Sequence, residues 1–215
     1  MRIALCSLNQ RWLDKVENLQ LCDYFVHQAK SAGCELIIFP EMTLTGYSLT
    51  LESVCEYSLN SWTLNAFKQL SQQNKVSIIF GAALQSSHLP ANVFCFASVA
   101  GVQEIYSKLH PFSFVGEDRV FAPGDHLGFL NISGINLGAN ICYDLRFSVP
   151  FFLMAQKCTG VVCIANWPQS RVNHWRALLI ARAIENQMIM IGVNRVGVDG
   201  NGLFYEKSSM VVLPS

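Results

Sequence analysis

Three residues with reactive side chains stand at the ends of predicted β-strands in this sequence: Glu41, Lys108 and Cys142. The runs that precede them, 35–39, 102–107 and 135–141, are short and either apolar or alternating, which is typical of strands. A residue at the end of a strand can be exposed by the turn that follows it. A carboxylate, an amine and a thiol at such positions predict a site in which the cysteine is the nucleophile.

The bulk composition excludes several classes of function. The chain has 215 residues, which is enough for one domain, 1–215, with one substantial core. Its formal net charge is zero, so it carries no electrostatic signal for nucleic acid. No apolar run approaches the roughly 18 residues of a membrane span, so we expect no membrane partner. Only 14% of the residues are charged, which favours wide buried sheets and a buried interface.

The cysteine pattern indicates reduced thiols. The eight cysteines include no CxxC pair and no spacing typical of a metal site. Most lie in apolar runs, where a free cysteine packs like a small hydrophobic residue. The first nine residues are too short and too interrupted for a secretory signal. We therefore expect a cytoplasmic protein without a bound metal or cofactor.

Predicted strands and helices alternate along the chain. Asp14 and Glu17 have the spacing of a capping box, at the start of a helix that runs to about Ala32 and ends at Gly33. The other predicted helices are 62–73, 147–157 and 172–186. The predicted strands are 2–8, 35–39, 76–84, 93–100, 102–107, 128–132, 135–141, 160–165, 188–194 and 203–213. This order predicts an α/β fold of mixed sheets with helices outside.

Segments 39–47, 107–110 with 116–125, and 140–147 together resemble one family, the nitrilase superfamily of carbon–nitrogen hydrolases. The glutamate motif of that family is similar to 39–47, which contains Glu41. Its lysine motif is similar to 107–110 with 116–125, which contain Lys108 and Glu117. Its nucleophile motif is similar to 140–147, around Cys142. Segments 166–168 and 182–186 are also family-like, so the resemblance covers almost the whole chain.

The resemblance implies a fold and an activity. The expected fold is a four-layer α-β-β-α sandwich of the nitrilase type, and it is expected to lack the usual C-terminal strands and tail. The nucleophile segment and Asn166-Trp167-Pro168 look most like the omega-amidase branch, which cleaves terminal amides of short dicarboxylic acids. The expected partners are a small-molecule amide and water, and a second copy of the chain in a homodimer or higher homo-oligomer.

The family pattern also assigns expected roles to residues. Glu41 is expected to take the thiol proton of Cys142, and the thiolate to attack the amide carbon. Lys108 and the backbone N–H of Tyr143 are expected to stabilise the oxyanion. Lys108 is also expected to lower the pKa of the thiol. Glu117 is expected to orient the lysine or the substrate, although a solvated turn explains it equally well.

Three further residues are candidates for the substrate pocket. Tyr47 and Trp167 either line the pocket or pack in the aromatic core. Arg146 is a candidate partner for a substrate carboxylate. An ion pair of Arg146 with Asp144, or a bond to a backbone carbonyl, is the favoured explanation of this residue. Segment 182–186 is expected to supply a supporting pair within one helix, Arg182 with Glu185.

Other functions remain open on the sequence. The same three reactive residues serve an N-carbamoyl amine hydrolase or a nitrilase equally well. A Cys–His hydrolase with His110 or His174 as the base is a weaker alternative, because it leaves Glu41 and Lys108 without roles. The last alternative is an inactive family member that acts as a subunit or binding module.

Overall fold

The computed structural model describes residues 1–85 and 89–215, and these two ranges contain two large β-sheets. In the first sheet, β1, β2 and β4 are parallel, β5 and β6 continue antiparallel, and β3 adds to one end of β4. Its strands are β1 (Ile3–Leu5), β2 (Leu36–Ile38), β3 (Cys55–Tyr57), β4 (Ser77–Gln85), β5 (Ala91–Ser98) and β6 (Gly101–Ser107).

The second sheet has the order β13-β10-β9-β8-β7, and its three central strands are parallel. Its strands are β7 (Gly128–Ile132), β8 (Ile135–Ile141), β9 (Gly160–Ala165), β10 (Ile189–Asn194) and β13 (Met210–Val212). A separate two-stranded ribbon is formed by β11 (Gly197–Val198) and β12 (Phe204–Tyr205). Because parallel strands end at the same edge, the residues after β8, β9 and β10 lie close together.

Four longer helices cover the outer faces of the two sheets, and the described ranges also contain one single-turn helix. They are α1 (Lys15–Ser31), α2 (Leu51–Val54), α3 (Trp62–Asn74), α4 (Ser148–Met154) and α5 (Val172–Asn186). Short 3-10 turns occupy Ser58–Asn60, Ser113–Val115, Glu117–Arg119, Cys142–Arg146 and Gln169–Arg171. Among the described residues no helix is both long and apolar enough to cross a membrane.

Three apolar clusters hold the layers together. The first joins α1 and α3 to the first sheet, and includes Phe67 stacked on Phe80 with ring centroids 4.0 Å apart. The second fills the space between the sheets with residues such as Ile79, Phe94 and Ile164. The third joins the second sheet to α4 and α5. The layer order is therefore α-β-β-α, which confirms the predicted sandwich.

The elements agree with the sequence predictions where the local pattern is strong. Strands β7, β8 and β9 and helix α5 have the predicted bounds. Asp14 caps α1 through a bond from the Glu17 N–H, 2.9 Å long. The capping box is half formed, since the Glu17 carboxylate pairs with Arg11 at 2.9 Å instead.

Predicted strand 2–8 is shorter in the structure, Ile3–Leu5, and two predictions of elements near the site were wrong. The predicted strand 203–213 is two short strands, because Ser208 and Ser209 between them bond to Asn194 and redirect the chain. The predicted helix 147–157 is shorter, Ser148–Met154, and follows the separate turn Cys142–Arg146. Elements α2, β3 and β11 were not predicted.

Candidate active site

Glu41 lies in a tight turn after β2 and is fully buried. Gln10 Nε2 donates to the backbone carbonyls of Glu41, Met42 and Thr43 at 3.0, 2.8 and 3.1 Å. Met42 has a φ of +44°, a conformation unusual for a residue with a side chain. Strand β4 runs against this turn at Gly81, where an added Cβ would lie 2.5 Å from Met42 N. The turn is therefore fixed from two sides.

Lys108 follows β6 and lies between two carboxylates. Its Nζ is 3.2 Å from Glu41 Oε1 and 2.8 Å from Glu117 Oε2. Asn92 of β5 donates Nδ2 to Glu41 Oε1 at 2.7 Å and to Glu117 Oε1 at 3.2 Å. All four side chains are essentially inaccessible to water. The cluster is a dry ion-pair network in which each charge has a partner.

The charge of Lys108 is stabilised by this cluster. Burial by itself lowers the pKa of the ammonium, but Glu41 and Glu117 raise that pKa, and the net result is a pKa well above the usual value. The lysine therefore carries its positive charge at neutral pH. It is a fixed cation beside the cysteine.

Cys142 begins the turn Cys142–Arg146 directly after β8. Its φ of +46° is in the left-handed region, which costs about 1 kcal/mol or more for a non-glycine residue. The buried Asp144 carboxylate anchors this turn to the segment after Lys108. It accepts bonds from Tyr106 Oη at 2.7 Å and from His110 N at 2.8 Å. The nucleophile turn and the lysine segment are thus joined directly.

The thiol of Cys142 is a weaker acid than an ordinary cysteine. Burial raises its pKa, the charge of Glu41 raises it further, and Lys108 lowers it by less than these two effects together. Lys108 lowers the thiol pKa, as expected from the sequence, but desolvation and the charge of Glu41 outweigh this effect. The resting site therefore holds a thiol, and attack requires a base.

Asn166 connects the base to the nucleophile. Its backbone N–H donates to Glu41 Oε2 at 2.9 Å, and its Nδ2 donates to the Glu41 carbonyl at 2.7 Å. Its carbonyl oxygen lies 3.9 Å from Cys142 Sγ. Asn194 in turn holds Trp167 through bonds of 2.7 and 2.8 Å to its backbone. Asn166 and Asn194, each at the end of a strand, thus position the Asn166–Trp167 segment that forms one wall of the site.

A cavity of about 90 Å³ opens above the thiol. Of the residues predicted for the site, Tyr47, Lys108, Cys142, Tyr143, Arg146 and Trp167 line it, together with residues such as Phe112, Arg171 and Tyr205. Glu41 and Glu117 lie behind Lys108. The Tyr47 hydroxyl is buried without a hydrogen-bond partner in the described part of the chain, and burial raises its pKa. It is a neutral donor available to a ligand.

Known proteins are similar to this chain in sequence and in fold. The sequence model of the carbon–nitrogen hydrolase family matches residues 2–214. The chain belongs to that family. It is an enzyme that hydrolyses carbon–nitrogen bonds other than peptide bonds.

Two curated relatives are amidases. The omega-amidase YafV of Escherichia coli is 33% identical over 215 residues, which are all of this chain and 82% of that protein. The 2-oxoglutaramate amidase of Bacillus subtilis is 29% identical over 202 residues, 91% of this chain and 76% of that protein.

Solved structures have the same fold. The carbon–nitrogen hydrolase superfamily protein XC1258 of Xanthomonas campestris, which carries an arsenic adduct in its active site, superposes with a TM-score of 0.91 at 28% identity. The superposition covers 99% of this chain and 82% of that one. An amidase from Nesterenkonia sp. superposes with a TM-score of 0.89 at 24% identity, over 100% of this chain and 82% of its own.

Arg146 in this carbon–nitrogen hydrolase does not have the partner that the sequence favoured. Asp144 is occupied by Tyr106 and His110, so the expected Arg146–Asp144 ion pair is not formed. The Arg146 guanidinium lies 5.0 Å from the Trp167 ring centroid, and its Nη2 contacts His174 Nδ1 at 3.4 Å.

The expected pair of Arg182 and Glu185 is present, with 2.9 Å between Nη1 and Oε2. Arg182 also donates to the carbonyls of Leu145 and Arg146 at 3.2 and 3.0 Å. It therefore supports the C-terminal end of the nucleophile turn as well as its own helix.

The structure does not assemble a Cys–His site from this sequence. His110 Nδ1 lies 2.8 Å from Asp144, and His174 contacts Arg146. Neither histidine is hydrogen-bonded to Cys142 in the ranges that the structure describes. Within those ranges, no group of three His, Cys, Asp or Glu side chains is arranged to hold a metal ion.

Sequence reasoning missed several residues that position the site. Gln10, Asn92 and Asn194 make some of its shortest hydrogen bonds, yet nothing in their local pattern marks them. Asn92 is one polar residue at the start of an apolar strand, which usually means an exposed position. Arg171 lines the cavity but lies outside every motif. Asn166 alone had a signal, because it belongs to a family-like segment.

Proposed function

We propose that this carbon–nitrogen hydrolase removes the terminal amide of a short dicarboxylic acid monoamide and releases ammonia through a thioester on Cys142. The observation that carries the proposal is the dry cluster in which Lys108 lies between Glu41 and Glu117, beside a protonated thiol. That arrangement supplies a base, a nucleophile and a fixed positive charge.

In the acylation step, Glu41 takes the Sγ proton as the sulfur attacks the amide carbon. The carbonyl oxygen becomes an oxyanion, stabilised by Lys108 Nζ and the Tyr143 N–H. Each well-placed donor of this kind contributes roughly 3–4 kcal/mol. Glu41 then gives its proton to the amide nitrogen. The C–N bond breaks, ammonia leaves, and a thioester remains.

In the deacylation step, water takes the place of ammonia. Glu41 accepts a proton from the water as its oxygen attacks the thioester carbon, and the same donors stabilise the second oxyanion. The C–S bond then breaks, Glu41 returns the proton to sulfur, and the carboxylic acid is released. The complete cycle of acylation and deacylation starts and ends with a neutral Cys142 thiol and a Glu41 carboxylate, and the thioester is present only between the two steps.

The size of the cavity and the relatives support the choice of substrate. A cavity of about 90 Å³ is of a size that suits a small molecule. Relatives at 33% and 29% identity are an omega-amidase and a 2-oxoglutaramate amidase. Tyr47 and Trp167 supply the aromatic walls, and Glu117 holds Lys108 in place.

The test is an ammonia-release assay over a panel of succinamate, glutaramate, neutral aliphatic amides, N-carbamoyl amines and nitriles. We expect turnover of at least one terminal amide, and trapping of an acyl group on Cys142 by mass spectrometry. Cys142→Ala abolishes both signals, while Cys34→Ala, far from the site, retains them. Release of ammonia only from carbamoyl amines or nitriles, or undiminished turnover by Cys142→Ala, contradicts the proposal.

The proposal also covers the oligomeric state and the cellular compartment of the enzyme. We propose a homodimer or higher homo-oligomer in the cytoplasm, with small-molecule amide and water as the only other partners. Support comes from the free cysteines, several of them half-exposed, which suit a reducing compartment.

A further inference from the structure

The charged residues that line the cavity are all cationic. They are Lys108, Arg146 and Arg171, and no acidic side chain of the described residues lines the cavity. Lys108 is matched by the two carboxylates behind it. In the described ranges, neither arginine has a carboxylate within 4.0 Å of its nitrogens. The outer part of the cavity therefore has two positive charges without a counter-charge.

Both guanidinium groups are placed by aromatic rings instead of by acids. Arg146 lies 5.0 Å from the Trp167 ring centroid and 5.8 Å from that of Tyr143. Arg171 lies 5.6 Å from the Phe112 ring centroid. Contacts with ring faces leave the N–H edges of a guanidinium free to donate.

The backbone at Arg171 is also fixed. Its carbonyl oxygen accepts the indole N–H of Trp167 at 2.8 Å, and its N–H donates to the Pro168 carbonyl at 3.0 Å. The residue is half-buried at the start of α5. A charge that is partly removed from water and left without a partner is unfavourable. The Arg171 guanidinium in the ligand-free site therefore favours the binding of an anion.

We propose that Arg171, together with Arg146, binds the distal carboxylate of the substrate and makes the enzyme selective for anionic amides. This inference rests on the proposed amidase function, and it assigns a specificity role to a residue outside the sequence motifs. The planar fork of an arginine fits both oxygens of a carboxylate, so two such groups recognise the end of the substrate that does not react. The amide at the other end then meets Cys142.

The first test compares selectivity rather than activity. The measured quantity is the ratio of kcat/KM for succinamate to kcat/KM for butyramide, a neutral amide of similar size. We expect Arg171→Gln to lower this ratio roughly ten- to a hundredfold, through a higher KM for succinamate, because a charge-assisted bond is lost. Arg171→Lys keeps the positive charge but not the planar guanidinium. Its kcat/KM ratio should therefore lie between those of the wild type and Arg171→Gln.

The matched control is Arg119→Gln, an exposed arginine that does not line the cavity. Its ratio should equal that of the wild type. An unchanged ratio in Arg171→Gln, or equal losses with both amides, overturns the inference. A wild-type enzyme that hydrolyses butyramide as well as succinamate also overturns it, while the amidase function stands.

A second test is independent of turnover. Glutarate, a short dicarboxylate, is titrated into the wild-type protein by calorimetry, with neutral glutaramide as the comparison. We expect glutarate to bind more tightly, and Arg171→Gln to weaken it roughly ten- to a hundredfold. Selective glutarate binding by a protein that hydrolyses no amide supports the anion site and contradicts the proposed function. Equal binding of both compounds overturns the anion site.

Discussion

The Cys142 thiol is held protonated by its surroundings, because burial and the charge of Glu41 raise its pKa more than Lys108 lowers it. The nucleophile is therefore made only when Glu41 takes the proton during attack. Because the thiolate is the reactive form of cysteine, we expect the resting Cys142 to react more slowly with alkylating agents than it would as a thiolate.

Removing the charge of Glu41 should make the Cys142 thiol more acidic and at the same time lower the catalytic rate. In Glu41→Gln one negative charge near Cys142 is removed while the positive charge of Lys108 remains. The thiolate is then more stable, so the pKa of the Cys142 thiol falls. Catalysis nevertheless falls by about a hundredfold or more, because the general base is lost. The measurements are thiolate absorbance against pH, with Cys142→Ala as the blank, and ammonia release. A thiol pKa that stays the same or rises in Glu41→Gln contradicts the electrostatic account.

Asn92 is a second residue whose effect can be tested. Its Nδ2 donates to both Glu41 and Glu117, so Asn92→Ala leaves these two buried carboxylates each without one donor. We expect kcat to fall about ten- to a hundredfold, with a smaller change in KM, and stability to fall by about 1–3 kcal/mol.

The matched control for this change is Asn65→Ala, at an exposed position of α3. Steady-state kinetics and thermal unfolding of both variants provide the comparison. A variant Asn92→Ala with unchanged kcat would show that the carboxylates hold their positions without it.

At the scale of elements, β4 and the turn after β2 act as one unit. Gly81 N donates to Thr43 Oγ1 at 3.0 Å, and Thr43 N donates to the Gly81 carbonyl at 2.9 Å. Strand β4 therefore continues its pairing into the turn that carries Glu41. This close approach is possible only without a side chain at position 81.

The change Gly81→Ala tests this close approach. The new methyl group would lie 2.5 Å from Met42 N and 2.9 Å from Glu41 Cα, so the turn must shift. We expect a loss of about 1–3 kcal/mol in unfolding free energy and a fall in kcat at temperatures where the protein is folded. Thermal unfolding and activity are measured beside Ser77→Ala, at the start of β4. Equal stability and activity of the two variants would contradict the packing argument.

At the scale of the whole molecule, the site lies where the two sheets meet. The first sheet brings Glu41, Asn92 and Lys108, and the second brings Cys142 and Asn166. The bond from Asn166 N to Glu41 Oε2 crosses between them. The apolar cluster between the sheets thus sets the distance from base to nucleophile, and a loss of that packing separates the two.

Helices α4 and α5 present an apolar outer face that residues 1–85 and 89–215 leave exposed. Val149 and Phe152 of α4 are 67% and 63% exposed, and Ile180 and Ile184 of α5 are 42% and 55% exposed. Large exposed apolar patches mark interaction sites. We propose that this face, with the neighbouring strand β13, is where two copies of the chain associate.

The change Phe152→Glu tests this association. A charge in the centre of the apolar face should convert the dimer to a monomer at micromolar concentration, measured by light scattering. Tyr24→Glu is the control, because Tyr24 is 57% exposed on α1, at the opposite side of the sandwich. A wild-type monomer, or a Phe152→Glu dimer, contradicts the proposal.

Much of the architecture could be predicted from local pattern. Strands 128–132, 135–141 and 160–165 and helix 172–186 have strong periodicity and clear turn signals, and their bounds agree with the structure. Segment 203–213 was mispredicted, because its apolar composition is that of a strand. The bonds from Asn194 to Ser208 and Ser209 that divide it come from a distant strand.

The residue types, their order and their places at strand ends determined which side chains meet: Glu41, Lys108 and Cys142. Tertiary structure alone decided their chemical states. The pKa of Cys142 depends on burial and on the charges around it. Arg146 and Arg171 have no acidic partner among the described residues because of how separate loops pack. Such effects act across space between residues distant in the chain, so no local pattern records them.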